Sequence, residues 1–262
     1  MRVARAGLAV LKGTRHRALD EVTLSEHGAV GDRLFCLVDP VRRQVLKTVA
    51  NGALLSAAAT WHDGVLTVEL GGQTIGGVPE RTGETLDVSY WGRPITVDVV
   101  RGPWAEALGR PLGQAVLLGW ARTGDVVYGG SVSLVTTGSL AGLRAGRRAA
   151  PHLDQRLDPG RHSARFRATF VVDTAGGPYH DPGSEAAWIG HEVQLGAARV
   201  RLDAPIVRCA VVDLDPLSGQ RDLQLLAALP RNADGEPVFG LQGEVVRPGL
   251  VAGGAAVRVA DL

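Results

Sequence analysis

The sequence predicts a mainly β or α+β protein, with a strand-rich, barrel-like core and a few packed helices. Three observations carry that reading. Short alternating or apolar runs, bounded by Gly, Pro, Asp and Asn, recur along the 262 residues, which is the period and punctuation of strands. Helical patterns are few. No regular strand–helix alternation is visible, which argues against a doubly wound parallel sheet.

In chain order, Leu19–Leu24, Arg33–Asp39, Val65–Leu70, Leu86–Trp91 and Ile95–Val100 read as strands in the first half. Gly71-Gly72 and Gly76-Gly77 supply turns between them. Pro103–Leu108 reads as a helix, with proline in its first turn. Ala115–Trp120 and Val132–Thr136 follow as strands, then Ser139–Arg147 as a helix with Leu140 and Leu143 on one face. Phe166–Asp173, Glu192–Leu202, Ile206–Val212 and Ala256–Ala260 complete the strands. Arg221–Leu229 is the last helix, stopped by Pro230. Arg144–Arg161 and Thr174–Gly183 read as long loops, a length more often functional than merely connecting.

Composition narrows the function. Hydrophobic residues at 45% and charged residues at 21% are those of a globular chain. A net charge of +1 is not the footprint of a protein that coats nucleic acid or an anionic membrane. No apolar run reaches membrane-spanning length, and no signal-type segment follows Met1-Arg2. The expectation is a cytoplasmic protein with a small-molecule substrate, no nucleic-acid partner and no membrane. Lys12 and Lys47 are the only lysines, and arginine supplies every other basic residue. Cys36 and Cys209 are the only cysteines, too few for a disulfide scaffold, a Cys-rich zinc site or a protein-held iron–sulfur cluster.

Generic catalytic patterns are absent: there is no G-x-S-x-G, Walker A, H-E-x-x-H or helix-opening G-x-G-x-x-G. The seven histidines show no close metal-ligand spacing. The second half is more specific. It carries Ser131 to Leu143 with Thr136, Thr137 and Ser139, then Arg165-Phe166-Arg167, then Arg208-Cys209 followed by Asp215-Pro216-Leu217-Ser218-Gly219. Phe239-Gly240 and Pro248-Gly249 close the series. In the first half stand Leu11-Lys12-Gly13, Gly28, Gly31-Asp32-Arg33-Leu34-Phe35 and Leu37-Val38-Asp39.

This order of blocks resembles the MOSC domain, named for the C-terminal domain of molybdenum cofactor sulfurase. The first half resembles the N-terminal β-barrel domain that accompanies it. The resemblance covers nearly the whole chain. It implies an N-terminal β-barrel domain over 1–104 and a MOSC domain over 105–262. It also implies a bound molybdenum cofactor (molybdenum–molybdopterin), as in the amidoxime-reducing members. By motif position Cys209 is the molybdenum ligand and catalytic residue, a soft thiolate suited to the metal. Arg167, Arg33 and Lys12 match the cations that hold the cofactor, and Arg208 places a fourth beside Cys209. Thr136, Thr137, Ser139 and Thr169 are implied as hydroxyl donors to it.

Simpler roles stand beside these. Cys209 alone reads as a small buried hydrophobe in a strand, Ser139 as a helix N-cap, and each lone cation as a surface ion-pair member. Cys36, in an apolar run, reads as core. Glu185 and Trp188 match family positions and read as structural. Three positions depart from the family: Gly13 replaces a serine, Thr169 an asparagine, and Val49 an arginine beside which Lys47 stands.

The function implied is an oxidoreductase that reduces small N-oxygenated substrates. The chain holds neither a plant-type cluster motif nor a flavin fingerprint, so the electrons come from a separate ferredoxin- or flavin-type donor. Two alternatives belong to other classes. One is sulfur transfer or C–S bond chemistry at Cys209 without molybdenum. The other is a non-catalytic module that carries the cofactor.

Overall fold

The computed structural model describes residues 1–145 and 159–260. Its strands fall into a closed five-stranded barrel, an eight-stranded sheet and two three-stranded sheets. The barrel runs Glu80–Tyr90, Arg93–Arg101, Leu117–Trp120, Phe35–Asp39 and Gln44–Val45. Phe35–Asp39 is buried along its whole length, as expected of a strand with a core on both faces. Cys36, Val38, Val88, Tyr90 and Val97 fill the barrel. Phe35 packs outward against Trp61 and Trp120, with ring centroids 5.3 and 4.9 Å away. Such pairs contribute about 0.5–1.5 kcal/mol each beyond their buried area.

The eight-stranded sheet is ordered Val257–Val259, Glu192–Leu195, Ala198–Val207, Val238–Arg247, Val132–Thr136, Phe170–Asp173, Arg2–Leu8 and Arg17–Leu19. Val132–Thr136 and Phe170–Asp173 pair in parallel, which requires a crossover. The helices Thr137–Ala145 and Pro159–Phe166 lie in that connection. Phe166, at its end, stacks on Phe239 at 4.2 Å with the rings 26° from parallel. Val135, Val171, Val212 and Leu225 surround that pair in a small separate core.

The strand-rich reading and the N-terminal barrel hold, with local corrections. Phe166–Asp173 is not one strand: Phe166 ends a helix and the strand starts at Phe170. Glu192–Leu202 is broken by a hairpin whose tip, Gly196, has φ +55°. Ile206–Val212 also breaks. The strand stops at Val207, and Ala210–Asp213 forms a 3-10 turn whose N-terminal flank is Cys209. The Asp213 carboxylate holds that turn by accepting from the Leu226 backbone at 2.8 Å. Of the expected helix Arg221–Leu229, only Leu225–Ala228 is helical. The long loop expected over Arg144–Arg161 lies mostly outside the described residues, and from Pro159 it is helix.

A cut at 104/105 does not separate the two assemblies. Arg2–Leu8 belongs to the large sheet, and Leu117–Trp120 closes the N-terminal barrel. Gly249–Ala252 also pairs with Glu21–Ser25. Backbone pairing therefore ties the halves together, and a cleft between them has walls fixed by both.

Candidate functional site

That cleft has a volume of about 270 Å³ and is lined from both halves. Lys12, Arg33, Thr48, Tyr90 and Trp91 come from the first half, and Ser133, Phe166, Arg167, Thr169, Arg208 and Cys209 from the second. Its N-terminal wall follows from one pairing. The Lys12 backbone donates to the Phe35 carbonyl at 2.7 Å, and the Arg33 backbone donates to the Ala9 carbonyl at 2.7 Å. Lys12 and Arg33 thus leave two bonded segments side by side. The Asp32 carboxylate accepts from the Ala9 backbone at 3.0 Å and pairs with the Arg33 guanidinium. Gly13 has φ +97°, and a Cβ there would meet Leu54 at 2.9 Å. The serine of the family pattern is therefore disfavoured at this position.

The opposite wall starts where the helix Pro159–Phe166 ends. Arg167 takes the left-handed conformation that glycine usually supplies after a helix, with φ +51°. Its Nη1 donates to the Thr14 carbonyl at 2.7 Å, while its buried Nη2 has no partner. Arg208 donates from Nε to the Phe239 carbonyl and from Nη1 to the Phe166 carbonyl, both at 2.8 Å. Its Nη2 is likewise buried and unpartnered. Among the described residues, no salt bridge joins Lys12, Arg167 or Arg208 to a carboxylate.

The charge is felt by its neighbours. Burial pushes the Lys12 ammonium down to about 7, and the Arg33 and Arg167 guanidiniums add to the shift. Burial lowers Arg167 and Arg208 to about 9, so both stay cationic at neutral pH. Each unneutralised buried cation is costly alone. Several facing one cleft make an anion site, since an anion would satisfy the open guanidinium donors and lift the mutual repulsion. Tyr90 adds a neutral donor: burial raises its hydroxyl to about 12, and that oxygen is buried without a partner.

Six of the expected site residues meet here: Lys12, Arg33, Arg167, Thr169, Arg208 and Cys209. The Thr169 hydroxyl is engaged with Ser133, accepting from its backbone at 3.2 Å. Cys209 is exposed on the cleft wall rather than packed in a strand. Thr136, Thr137 and Ser139 are not in the cleft. Thr136 caps the helix, its oxygen accepting from the Ser139 backbone at 3.1 Å. Thr137 donates to the Asp173 carboxylate at 3.3 Å. Ser139 donates to the buried Glu185 carboxylate at 2.6 Å, and its oxygen accepts from the Gly183 backbone at 2.8 Å. These hydroxyls brace the crossover.

Other expectations fall into place. Cys36 is fully buried in the barrel, and burial raises its thiol to about 12. Lys47 does not line the cleft; its ammonium lies over the Trp91 ring at 4.2 Å. The Asp215-to-Gly219 stretch is structural. Asp215 accepts from the Leu217 and Ser218 backbones at 3.0 and 2.8 Å, and Gly219 lies against the Gly52 backbone too closely to admit a side chain. Arg165, also on the cleft wall, is consumed by a bidentate pair with Asp222 at 2.7 and 2.6 Å. Tyr90, Trp91, Tyr128 and Ser133 also line the cleft, and no sequence motif marks them as doing so. The one available signal is Trp91-Gly92 between two strand runs, a two-residue hairpin connection.

Among known proteins, residues 130–258 match the family model described as "MOSC domain". Molybdenum cofactor sulfurase of Anopheles gambiae is 29% identical over 92 residues, which is 35% of this chain. The match spans 10% of that much longer protein. The crystal structure of the YuaD protein of Bacillus subtilis is 12% identical, with a TM-score of 0.41, and covers 98% of this chain and 94% of that one. YiiM of Geobacillus stearothermophilus is 11% identical, with a TM-score of 0.30, over 50% of this chain and 55% of its own. No helix among the described residues is long and apolar enough to cross a membrane.

Proposed function

We propose, for a chain whose residues 130–258 are a MOSC domain, that the cleft holds a molybdenum cofactor and reduces a small N-oxygenated substrate. The family link is to molybdenum cofactor proteins. The observation that carries the reading is local to this chain: two buried guanidinium nitrogens, Arg167 Nη2 and Arg208 Nη2, have no partner beside an exposed Cys209 thiol. That donor set fits an anionic cofactor bearing molybdenum. Guanidinium forks suit a phosphate, and a thiol suits molybdenum.

Lys12, Arg33, Arg167 and Arg208 would hold the phosphate, and the Cys209 sulfur would ligate the metal. When bound, the cofactor supplies a centre that cycles between oxidised and reduced states. The protein's work is orientation and shelter. Tyr90 offers a hydroxyl that stays protonated at neutral pH. Ile206, Val212 and Phe166 give the cleft a buried apolar wall that limits water. The overall reaction breaks the substrate N–O bond, consumes two electrons and two protons, and releases the oxygen as water. A ferredoxin- or flavin-type partner would deliver the electrons, since this chain's two cysteines cannot hold a cluster.

The exposure of Cys209 favours one second reading, in which its sulfur accepts a sulfane sulfur from a persulfide donor and passes it to an acceptor. Turnover separates the two. Protein made in a host competent for cofactor synthesis, supplied with a chemically reduced electron donor, should reduce an N-hydroxylated compound to the amine. Inactivity on every such compound, with a trapped Cys209 persulfide, would favour sulfur transfer. Bound cofactor with neither activity would leave a carrier.

A further inference from the structure

The mouth of the cleft carries a feature that anion binding does not require. Trp91 and Tyr128 both line it, 39% and 50% exposed, with ring centroids 5.3 Å apart and the rings tilted by 55°. They come from different elements. Trp91 opens the two-residue turn of the hairpin Glu80–Tyr90/Arg93–Arg101, and Tyr128 lies in the segment before Val132–Thr136. Arg93 holds the two together by donating to the Val127 carbonyl at 2.8 Å.

The turn makes Trp91 unusual. Trp91 and Gly92 have φ of +52° and +81°, the signs of a type I′ turn, whose first position prefers Asn, Asp or Gly. A bulky residue in the left-handed region is an outlier. The indole does not offset that strain by filling the core. Around it lie the exposed Tyr128 ring, the Lys47 ammonium and the Tyr90 hydroxyl. Conformational strain kept at a cleft mouth, for a side chain the core does not use, is a sign of function.

We infer that Trp91 and Tyr128 form a platform that selects planar, aromatic or heteroaromatic substrates over saturated ones of equal size. The inference deepens the reading above and rests on it for the reacting group. Beside Tyr128 a shallow depression is lined by Ala204, Pro205 and Val238, with Asn232 and Gln242 as its polar members. A fused or substituted ring finds contact there. Lys47 covers part of the Trp91 ring from outside the cleft lining. Lys12, Arg33, Arg167 and Arg208 line the inner wall, so the platform sorts by ring shape and the inner wall holds charge.

The test uses benzohydroxamic acid and cyclohexanecarbohydroxamic acid, which share a polar group and differ in ring planarity. Dissociation constants are measured on the full chain by calorimetry, for wild type, Trp91→Asn, Trp91→Phe and Tyr128→Leu. Wild type should prefer the planar ligand by about tenfold. Trp91→Asn and Tyr128→Leu should lose most of that preference, and Trp91→Phe should keep much of it. Trp91→Asn should also melt no lower than wild type, because asparagine suits the turn. Equal affinity for both ligands in wild type would overturn the platform. So would an undiminished preference in Trp91→Asn, or a lowered melting temperature with both ligands weakened alike. Metal and pterin content of the same preparations reports on the cofactor separately. Ring preference without molybdenum contradicts the cofactor reading and keeps this one, and molybdenum without ring preference does the reverse.

Discussion

Arg167 reaches across the cleft and donates from Nη1 to the Thr14 carbonyl at 2.7 Å. The contact fastens the end of the crossover helix to the segment that carries Lys12, so cations from the two halves are set at fixed spacing. Lysine cannot reproduce it, having no second nitrogen to present to the cleft. Arg167→Lys should therefore weaken inorganic phosphate binding about tenfold or more, since a hydrogen bond to a charged group is worth about 1.5–3 kcal/mol. Calorimetric titration with phosphate measures it, and unchanged affinity would remove Arg167 from the anion site.

Gly240 sits behind Arg208. At φ +71° it is in the left-handed region, and a Cβ would run into the Leu134 carbonyl and approach Arg208 Nη2 at 3.4 Å. Gly240→Ala should cost at least about 1–2 kcal/mol of stability from backbone strain alone. The backbone shift that relieves the Leu134 clash should also reduce phosphate affinity, because the neighbouring Phe239 carbonyl holds Arg208 Nε. Thermal unfolding and the same titration read both effects.

Ser139 tests the division between bracing and binding. Its hydroxyl is bonded to both Glu185 carboxylate oxygens, at 2.6 and 2.7 Å, in a buried setting. Ser139→Ala leaves that carboxylate short of a donor and should destabilise the protein by about 1–3 kcal/mol. Phosphate affinity in the folded variant should not change. Weaker binding with unchanged stability would return Ser139 to the cleft.

His16 sets an acid limit. It is buried against Arg5, whose Nη2 lies 2.9 Å from its Nδ1, and burial followed by the Arg5 charge holds its pKa well below 6.5. The unfolded chain takes up a proton near pH 6.5 that the folded chain refuses. Stability is therefore retained above pH 6.5 and lost as the pH falls below it, by at most about 1.4 kcal/mol per pH unit. Urea midpoints at pH 7 and pH 5 should differ more in wild type than in His16→Gln.

Much of this was legible in the sequence, for physical reasons. Val65–Leu70 and Val132–Thr136 have the expected bounds because alternation and turn residues define strands locally. Arg2–Leu8 and Val238–Arg247 carry no such local signal; the first pairs with Phe170–Asp173 and the second with Val132–Thr136, partners far along the chain. Cys209 stood out through its motif, yet the apolar Ala210-Val211-Val212 reads as strand, and only the Asp213 contacts make it a turn. Thr136, Thr137 and Ser139 resembled ligand donors because short hydroxyls look alike in a motif whether they cap a helix or face a cleft. Trp91 was hidden by a turn that usually carries asparagine.

The central claim is that this cleft holds a molybdenum cofactor through the Cys209 sulfur. Its most direct test is metal and pterin analysis of wild type and Cys209→Ala, both made in a host that synthesises the cofactor. Cys209 is exposed, so the variant should fold normally. Wild type should carry near-stoichiometric molybdenum, and Cys209→Ala should lose it. Molybdenum absent from both proteins, or retained equally by both, would contradict it.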